Sequence, residues 1–241
     1  MLSYSTLLWC ALIIIVVFAT RKLMKQIVAA MMKPVFAVIM YFFTKIYNRE
    51  VGFKKKKLFE TMEKHLEEVE GEVLEVGAGT GANFAFYPRG CTIIAVDPNR
   101  YMNYYLQHTK KFYPHVQLKE YIVGSAEDMR KIADHSMSVV VCSLVLCSVN
   151  SVEQSLKEII RVLKPGGRFY FLEHVKGEGF LLTLQKWNQP WWFYFGDGCN
   201  LMRDTESSIR KAGFKSVKCE AFDAKNVGPF IKPHIMGYAD V

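Results

Sequence analysis

The sequence predicts an α/β fold: a doubly wound, mostly parallel seven-stranded sheet behind an N-terminal membrane-anchoring helical segment. Three observations predict it. The first is Val73-Leu74-Glu75-Val76-Gly77-Ala78-Gly79-Thr80-Gly81, an apolar run that ends in glycines at alternate positions. It reads as a buried strand followed by a tight turn. The second is the alternation of strand-like and helix-like stretches from Leu58 to the C-terminus. Such alternation builds parallel sheets with helices on both faces. The third is the uncharged stretch over residues 1–20, which is unbroken apolar from Leu7 to Ala19.

A helix of about 20 residues crosses the hydrocarbon core of a bilayer, and Met1 to Thr20 reaches that length. Arg21, Lys22 and Lys25 follow at once. A cleaved secretory signal carries its charge before the apolar core. The segment therefore reads as an uncleaved anchor with the following chain on the cytosolic side. Ile27 to Phe43 is apolar again, interrupted by Lys33-Pro34. Val35 to Phe43 is too short to span. Tyr41, Phe42, Phe43 and Tyr47 beside Lys45 and Arg49 suit a helix lying in the interface. The alternative is that residues 27–47 pack on the globular part. Lys54 to Lys57 marks the exit from the membrane zone, where anionic head groups attract lysine. Residues 1–47 are thus expected to form the anchor and interfacial helix, and residues 48–241 the globular domain.

Within that domain Leu58 to Val69 has helical spacing. Strands are expected at Val73–Val76, Thr92–Val96, Leu118–Ile122, Ser138–Cys142, Arg168–Glu173, Val217–Phe222 and near Ile235–Ala239. Helices are expected at Ala82–Phe86, Arg100–Phe112, Val152–Leu163 and Asp204–Ala212. Pro165 and Gly166 stop the third of these, and Gly167 turns the chain into the next strand.

The net charge of +8 is local: residues 1–57 hold ten Lys/Arg against the single acid Glu50. The rest of the chain is close to neutral, so the basic balance points to a lipid surface and not to nucleic acid. Six cysteines are scattered without a CxxC pair or a zinc-ligand spacing, so no metal site is expected and a reducing compartment is. Nothing in the residues sets an oligomeric state.

The glycine turn admits two ligands. Gly77, Gly79 and Ala82 satisfy the dinucleotide pattern, and Asp97 follows at about the distance of its ribose-binding acid. Three features favour S-adenosylmethionine. Glu75 stands where an acid meets a methionine ammonium and repels a pyrophosphate. Gly81 extends the turn to G-x-G-x-G, and Val162 to Phe169 has the Leu-Lys-Pro-Gly-Gly tail typical of Rossmann-like methyltransferases. In this reading Asp97 accepts both ribose hydroxyls; its alternative is a cap ahead of Pro98. Ala126 and Glu127, after the third strand, meet the adenine edge. Cys142, at the end of the fourth strand, is counted with the cofactor-binding residues, although it and Cys147 also read as small buried residues.

Several stretches together resemble one family. They are Leu74 to Phe84, Phe86-Tyr87-Pro88, Val139 to Val149, Glu173-His174-Val175, Asp197 to Leu201 and Pro233 to Ala239. They are similar to the methyltransferase-like alkyl thiol S-methyltransferases of endoplasmic reticulum and lipid-droplet membranes. The resemblance runs from about Ile46 to the C-terminus; the anchor matches in character alone. It implies methyl transfer from S-adenosylmethionine to small lipophilic thiols or hydrogen sulfide. It also implies a monotopic N-terminus on the bilayer or droplet surface, with the catalytic domain facing the cytosol. Ala78 replaces a common cysteine in the turn, and Lys186 to Phe195 does not match well.

A sulfonium is an activated methyl donor, so the protein must exclude water, align the acceptor and supply a nucleophile. A free thiol has a pKa near 8.5, so modest help from a base suffices. His174, ending the fifth strand on the ligand-binding edge, is the first candidate base. Asp197 is the second, with an ion pair to Arg203 as its alternative role. The aromatic stretch from Phe180 to Phe195 could cap a lipophilic pocket, dip into the bilayer or belong to the core. Three rival functions stay open: methylation of an amine, hydroxyl or lipid carbon, a lipid-droplet recruitment protein that keeps the cofactor pocket, and a nicotinamide oxidoreductase.

Overall fold

The computed structural model describes the backbone of residues 4–241 and the side chains from Val16 onward, except Phe18, Lys22 and Lys25. The side chains of the anchor expected over Met1 to Thr20 therefore lie largely outside the described residues. Thirteen elements follow one another: α1 (Tyr4–Glu68), β1 (Val73–Val76), β2 (Thr92–Asp97), α2 (Met102–Lys110), β3 (Gln117–Val123), β4 (Met137–Ser143), α3 (Val152–Val162), β5 (Leu163–His174), α4 (Gly179–Phe195), α5 (Thr205–Lys211), β6 (Ser216–Asp223), a 3-10 turn (Pro229–Ile231) and β7 (Pro233–Asp240).

The seven strands form one sheet in the order β3-β2-β1-β4-β5-β7-β6. β1 to β5 pair in parallel, and β7 runs antiparallel between β5 and β6. β1 is buried at every position and apolar at all but Glu75, because helices cover both faces of the sheet there. Alternate residues feed two cores. Val73, Ala95, Val141 and Leu172 pack with Val51, Phe59 and Met62 of α1 on one face. Leu74, Val140 and Phe171 pack with Leu156 and Ile159 of α3 on the other. The strand order reverses at β1, which opens a crevice at the carboxyl ends of β1 and β4.

Four elements differ from the sequence expectation. Lys33-Pro34 does not interrupt the N-terminal helix, which continues through Pro34. Proline removes a single helical N–H, and Lys33 is tied down from outside by Asn99 Nδ2, which donates to its carbonyl at 2.9 Å. Ala82–Phe86 is not a helix. Gly81, Phe84 and Phe86 donate their N–H groups three residues back, to Ala78, Gly81 and Asn83, so the segment is a chain of tight turns. Gly179–Phe195 is helical although its stretch carries Pro190 and many aromatics. β5 begins at Leu163, opposite Met137, and loops out over Lys164 to Gly167 before regular pairing resumes at Arg168.

α1 docks on the domain by one stripe. Ala37, Tyr47, Val51, Leu58 and Met62 recur at helical spacing and are buried, whereas the described side chains from Val16 to Met31 are exposed. The segment 27–47 thus divides: its second half packs on the sheet edge, as the alternative reading had it. The Lys54–Lys57 run divides too. A helix turns its side chains by about 100° per residue, so Lys55 enters the core while Lys56 and Lys57 stay in water.

Candidate active site

A cavity of about 270 Å³ lies at the carboxyl ends of β1, β2 and β4. Its floor is Glu75, Gly77, Ala78 and Gly79; Asp97 and Ala126 form one side, and Ser143, Leu144 and Asp197 another. Its roof is α1, through Phe36, Met40, Phe43, Thr44 and Tyr47. The roof is fastened to the glycine turn: Asn48 Nδ2 donates to the Ala82 carbonyl at 2.8 Å, and the Thr44 and Thr80 hydroxyls lie 3.2 Å apart.

The turn needs its glycines for different reasons. Gly77 has φ +65°, and a Cβ there would lie 2.4 Å from Val145 Cγ2. Gly79 has φ +54°, a Cβ there would meet nothing nearer than the Gly77 carbonyl oxygen at 3.8 Å, and its N–H points at Asp97 Oδ2, 2.8 Å away. Gly81 does not line the cavity; its missing side chain makes room for the buried ring of Phe84.

Asp97 is held from two sides, since Asn99 N–H also donates to its Oδ1 at 2.8 Å. Each oxygen keeps a lone pair for a further donor. Burial pushes this carboxyl up to about 6, against the pull of the two N–H groups. Glu75 is wholly buried. Its Oε1 accepts from Asn83 Nδ2 at 2.8 Å, and its Oε2 has no partner. Burial pushes Glu75 up to about 7, and Asn83, the neighbouring Tyr87 hydroxyl and the Lys55 ammonium pull the other way. Lys55 is the buried counter-charge from α1: it donates to Asn48 Oδ1 at 2.9 Å, and burial pushes it down to about 7.

Ala126 and Glu127 line the cavity by the loop after β3. The Glu127 carboxylate is already engaged, accepting from Ser125 Oγ and from the N–H groups of Asn150 and Ser151. Cys142 does not line the cavity. Residues alternate along β4, so Ser143 reaches the cavity while Cys142 is buried in the other core beside Val140 and Phe171.

The two candidate bases separate. Asp197 lines the cavity, at φ +48°, and burial raises its pKa against the pull of Lys33. Arg203 has another partner: its guanidinium donates to the Val149 carbonyl. His174 does not line the cavity. It is buried behind the wall, its Nε2 3.0 Å from Cys199 Sγ, with Cys147 close by. A side chain at the very end of β5, paired with His234 of β7, faces the interior and not the crevice. Sequence reasoning missed Lys55, Asn83 and the roof residues of α1. The helical register of Tyr47, Val51 and Lys55 was the signal that pointed inward.

The missing helix after the turn bears on the ligand. A pyrophosphate site relies on a helix N-terminus at that point, and here the chain makes turns. The unpartnered Glu75 oxygen instead offers a carboxylate to a cation. The comparisons with known proteins agree. A family model described as a methyltransferase domain matches residues 74–171. The human thiol S-methyltransferase TMT1A is 41% identical over 209 residues, covering 82% of each chain. The rat thiol S-methyltransferase TMT1B is 42% identical over 212 residues, covering 86% of each. A solved S-adenosylmethionine-dependent methyltransferase of Thermotoga maritima shares the fold at TM-score 0.52 and 20% identity, covering 83% of this chain and 98% of that one. A Haemonchus contortus phosphoethanolamine N-methyltransferase, solved with S-adenosylhomocysteine, does so at TM-score 0.53 and 16% identity, covering 71% and 48%. This chain belongs to the thiol S-methyltransferase family and is an S-adenosylmethionine-dependent methyltransferase.

Proposed function

We propose that the protein is a membrane-anchored enzyme that methylates small lipophilic alkyl thiols or hydrogen sulfide, on the cytosolic face of the endoplasmic reticulum and on lipid droplets. The observation that carries this reading is the roof. The helix that presents Phe36, Met40 and Phe43 to the cavity also carries exposed apolar side chains between Val16 and Met31, among them Leu23, Met24 and Ile27. That helix is long and apolar enough to cross a membrane, and an acceptor dissolved in lipid meets the cavity at its apolar side. The names of the relatives supply the thiol.

The residues fit the cofactor. The free oxygen of Glu75 suits the methionine ammonium, Gly77 and Gly79 let the backbone approach, and the two oxygens of Asp97 suit the ribose hydroxyls. Ala126 and the backbone of Glu127 suit the adenine edge. When bound, the cofactor supplies a methyl group on a positively charged sulfur. The roof residues of α1 exclude water from that point. Asp197 accepts the thiol proton at its carboxylate, and burial has made it a better base than an ordinary aspartate. With the donor bound, the thiolate sulfur would be placed to receive the methyl group as that group's bond to the sulfonium sulfur breaks and the neutral adenosyl thioether leaves; the thiol proton passes to solvent through Asp197.

An acceptor screen with labelled methyl donor tests this. An alkyl thiol is expected to yield the methyl thioether, with amines and alcohols unlabelled. In Asp197→Asn the rate at neutral pH should fall at the low end of the roughly 10²–10⁴-fold range of acid–base effects and recover above the thiol pKa. Labelled amine or alcohol without thioether would replace the thiol reading; no product from any acceptor would favour a recruitment role.

A further inference from the structure

Behind the acceptor wall three soft or borderline donors converge from separate parts of the chain. Cys147 follows β4, His174 ends β5, and Cys199 follows α4. Their donor atoms all lie within 4.8 Å of one another, and all three residues are buried. The backbone holds two of the segments together, Asn200 N–H donating to the Cys147 carbonyl at 2.8 Å.

We infer that Cys147, His174 and Cys199 form a binding site for one zinc-class divalent cation. Two cysteines and a histidine are a zinc donor set, with donor atoms about 3.5 Å apart in a tetrahedral site. The His174 Nε2 to Cys199 Sγ separation is 3.0 Å, so small side-chain rotations create that geometry. Charge supports it as well. Two thiolates, a neutral imidazole and a divalent cation sum to zero, which is the state that a buried pocket tolerates. A further group already treats Cys199 as an acceptor: Trp192 Nε1–H points at its sulfur, 3.2 Å away. The Nε2 of His174 faces the Cys199 sulfur and is therefore the ligating nitrogen, and its Nδ1 is buried without a partner.

Binding replaces two thiol protons by the metal and releases them to solvent, so no oxidant is needed. Three protein ligands leave a fourth tetrahedral position, the pattern of zinc sites that take an exchangeable ligand. Ser148 and Asp197, close in sequence to Cys147 and Cys199, line the cavity, so the ion would brace its acceptor end. None of this depends on which acceptor the enzyme uses.

The test uses the full chain, reduced and in detergent, stripped with chelator and titrated with zinc or cobalt(II). One tightly held ion per chain is expected, with a thiolate-to-metal absorption band for cobalt and about two protons released. Cys147→Ser, Cys199→Ser and His174→Gln should each weaken binding by more than roughly 100-fold, and Trp192→Phe by roughly 10–100-fold. Cys219→Ser should keep the ion. S-adenosylmethionine binding checks that each variant is folded. Should one fail that check, zinc should still protect Cys147 and Cys199 of the unmodified chain from alkylation, read by mass spectrometry. Zinc that does not bind, that gives no protection, or that stays in the folded Cys variants would overturn the site. So would a Cys147–Cys199 disulfide in protein kept under reducing conditions.

Discussion

Glu75 and Lys55 are opposite charges taken out of water at the same place, and burial brings both to about 7. The consequence falls on the cofactor. An ammonium binds the carboxylate form of Glu75, and that form appears as pH rises through about 7. Affinity for S-adenosylmethionine should therefore climb across that pH, with a proton released on binding at the acid side. In Glu75→Gln the climb should vanish. Calorimetry at several pH values reads both, and a pH-independent affinity in the unaltered chain would contradict the role of Glu75. The acid itself was visible in the sequence because it stands two residues before the first glycine. Its counter-charge was hidden in a run of four lysines that reads as facing lipid head groups. Cys147, His174 and Cys199 were hidden for a different reason: donors far apart in sequence carry no spacing signal.

At the scale of elements, the strands were legible and the helices less so. β1 and β4 announce themselves as unbroken apolar runs before turn residues. The sequence reads as interrupted at Pro34, but α1 continues there because the helix–domain contacts from Lys33 onward outweigh one lost hydrogen bond. The turns at Ala82–Phe86 reflect a tertiary demand: Phe84 must fold into the core beside Gly81. α4 hides from periodicity because its apolar residues are not confined to one face, and ten of its seventeen residues are exposed. Trp187 is 73% exposed and Trp191 71%. Gln185 is its buried residue, donating to the carbonyls of Val175 and Phe230. Such a helix suits contact with lipid. Replacing Trp187 and Trp191 by Ser should weaken partitioning onto vesicles by at least about tenfold, since burying one large apolar side chain contributes roughly 1.5–3 kcal/mol. Cofactor affinity should stay unchanged. Equal partitioning of both proteins would assign α4 another role.

Over the whole molecule, a parallel sheet places the cofactor residues at one edge, and a single long helix joins that edge to an apolar segment. Tyr4–Glu68 is at once the candidate anchor, part of the core and the roof of the cavity. The boundary expected after residue 47 would set the roof residues Phe36 to Tyr47 apart from the cavity that they line, because a boundary drawn from composition does not follow the contacts. The fold makes the cofactor site a property of the complete chain. All of this presumes that the elbow from Glu75 to Asp97 grips an adenosyl sulfonium donor. The most direct measurement is a calorimetric titration of the full chain with S-adenosylmethionine and, separately, with NAD. The account predicts heat from the first alone. It also predicts a loss of about tenfold or more in Asp97→Ala, because hydrogen bonds to a charged group contribute roughly 1.5–3 kcal/mol each. Binding of NAD without binding of S-adenosylmethionine, or full affinity in Asp97→Ala, would contradict it.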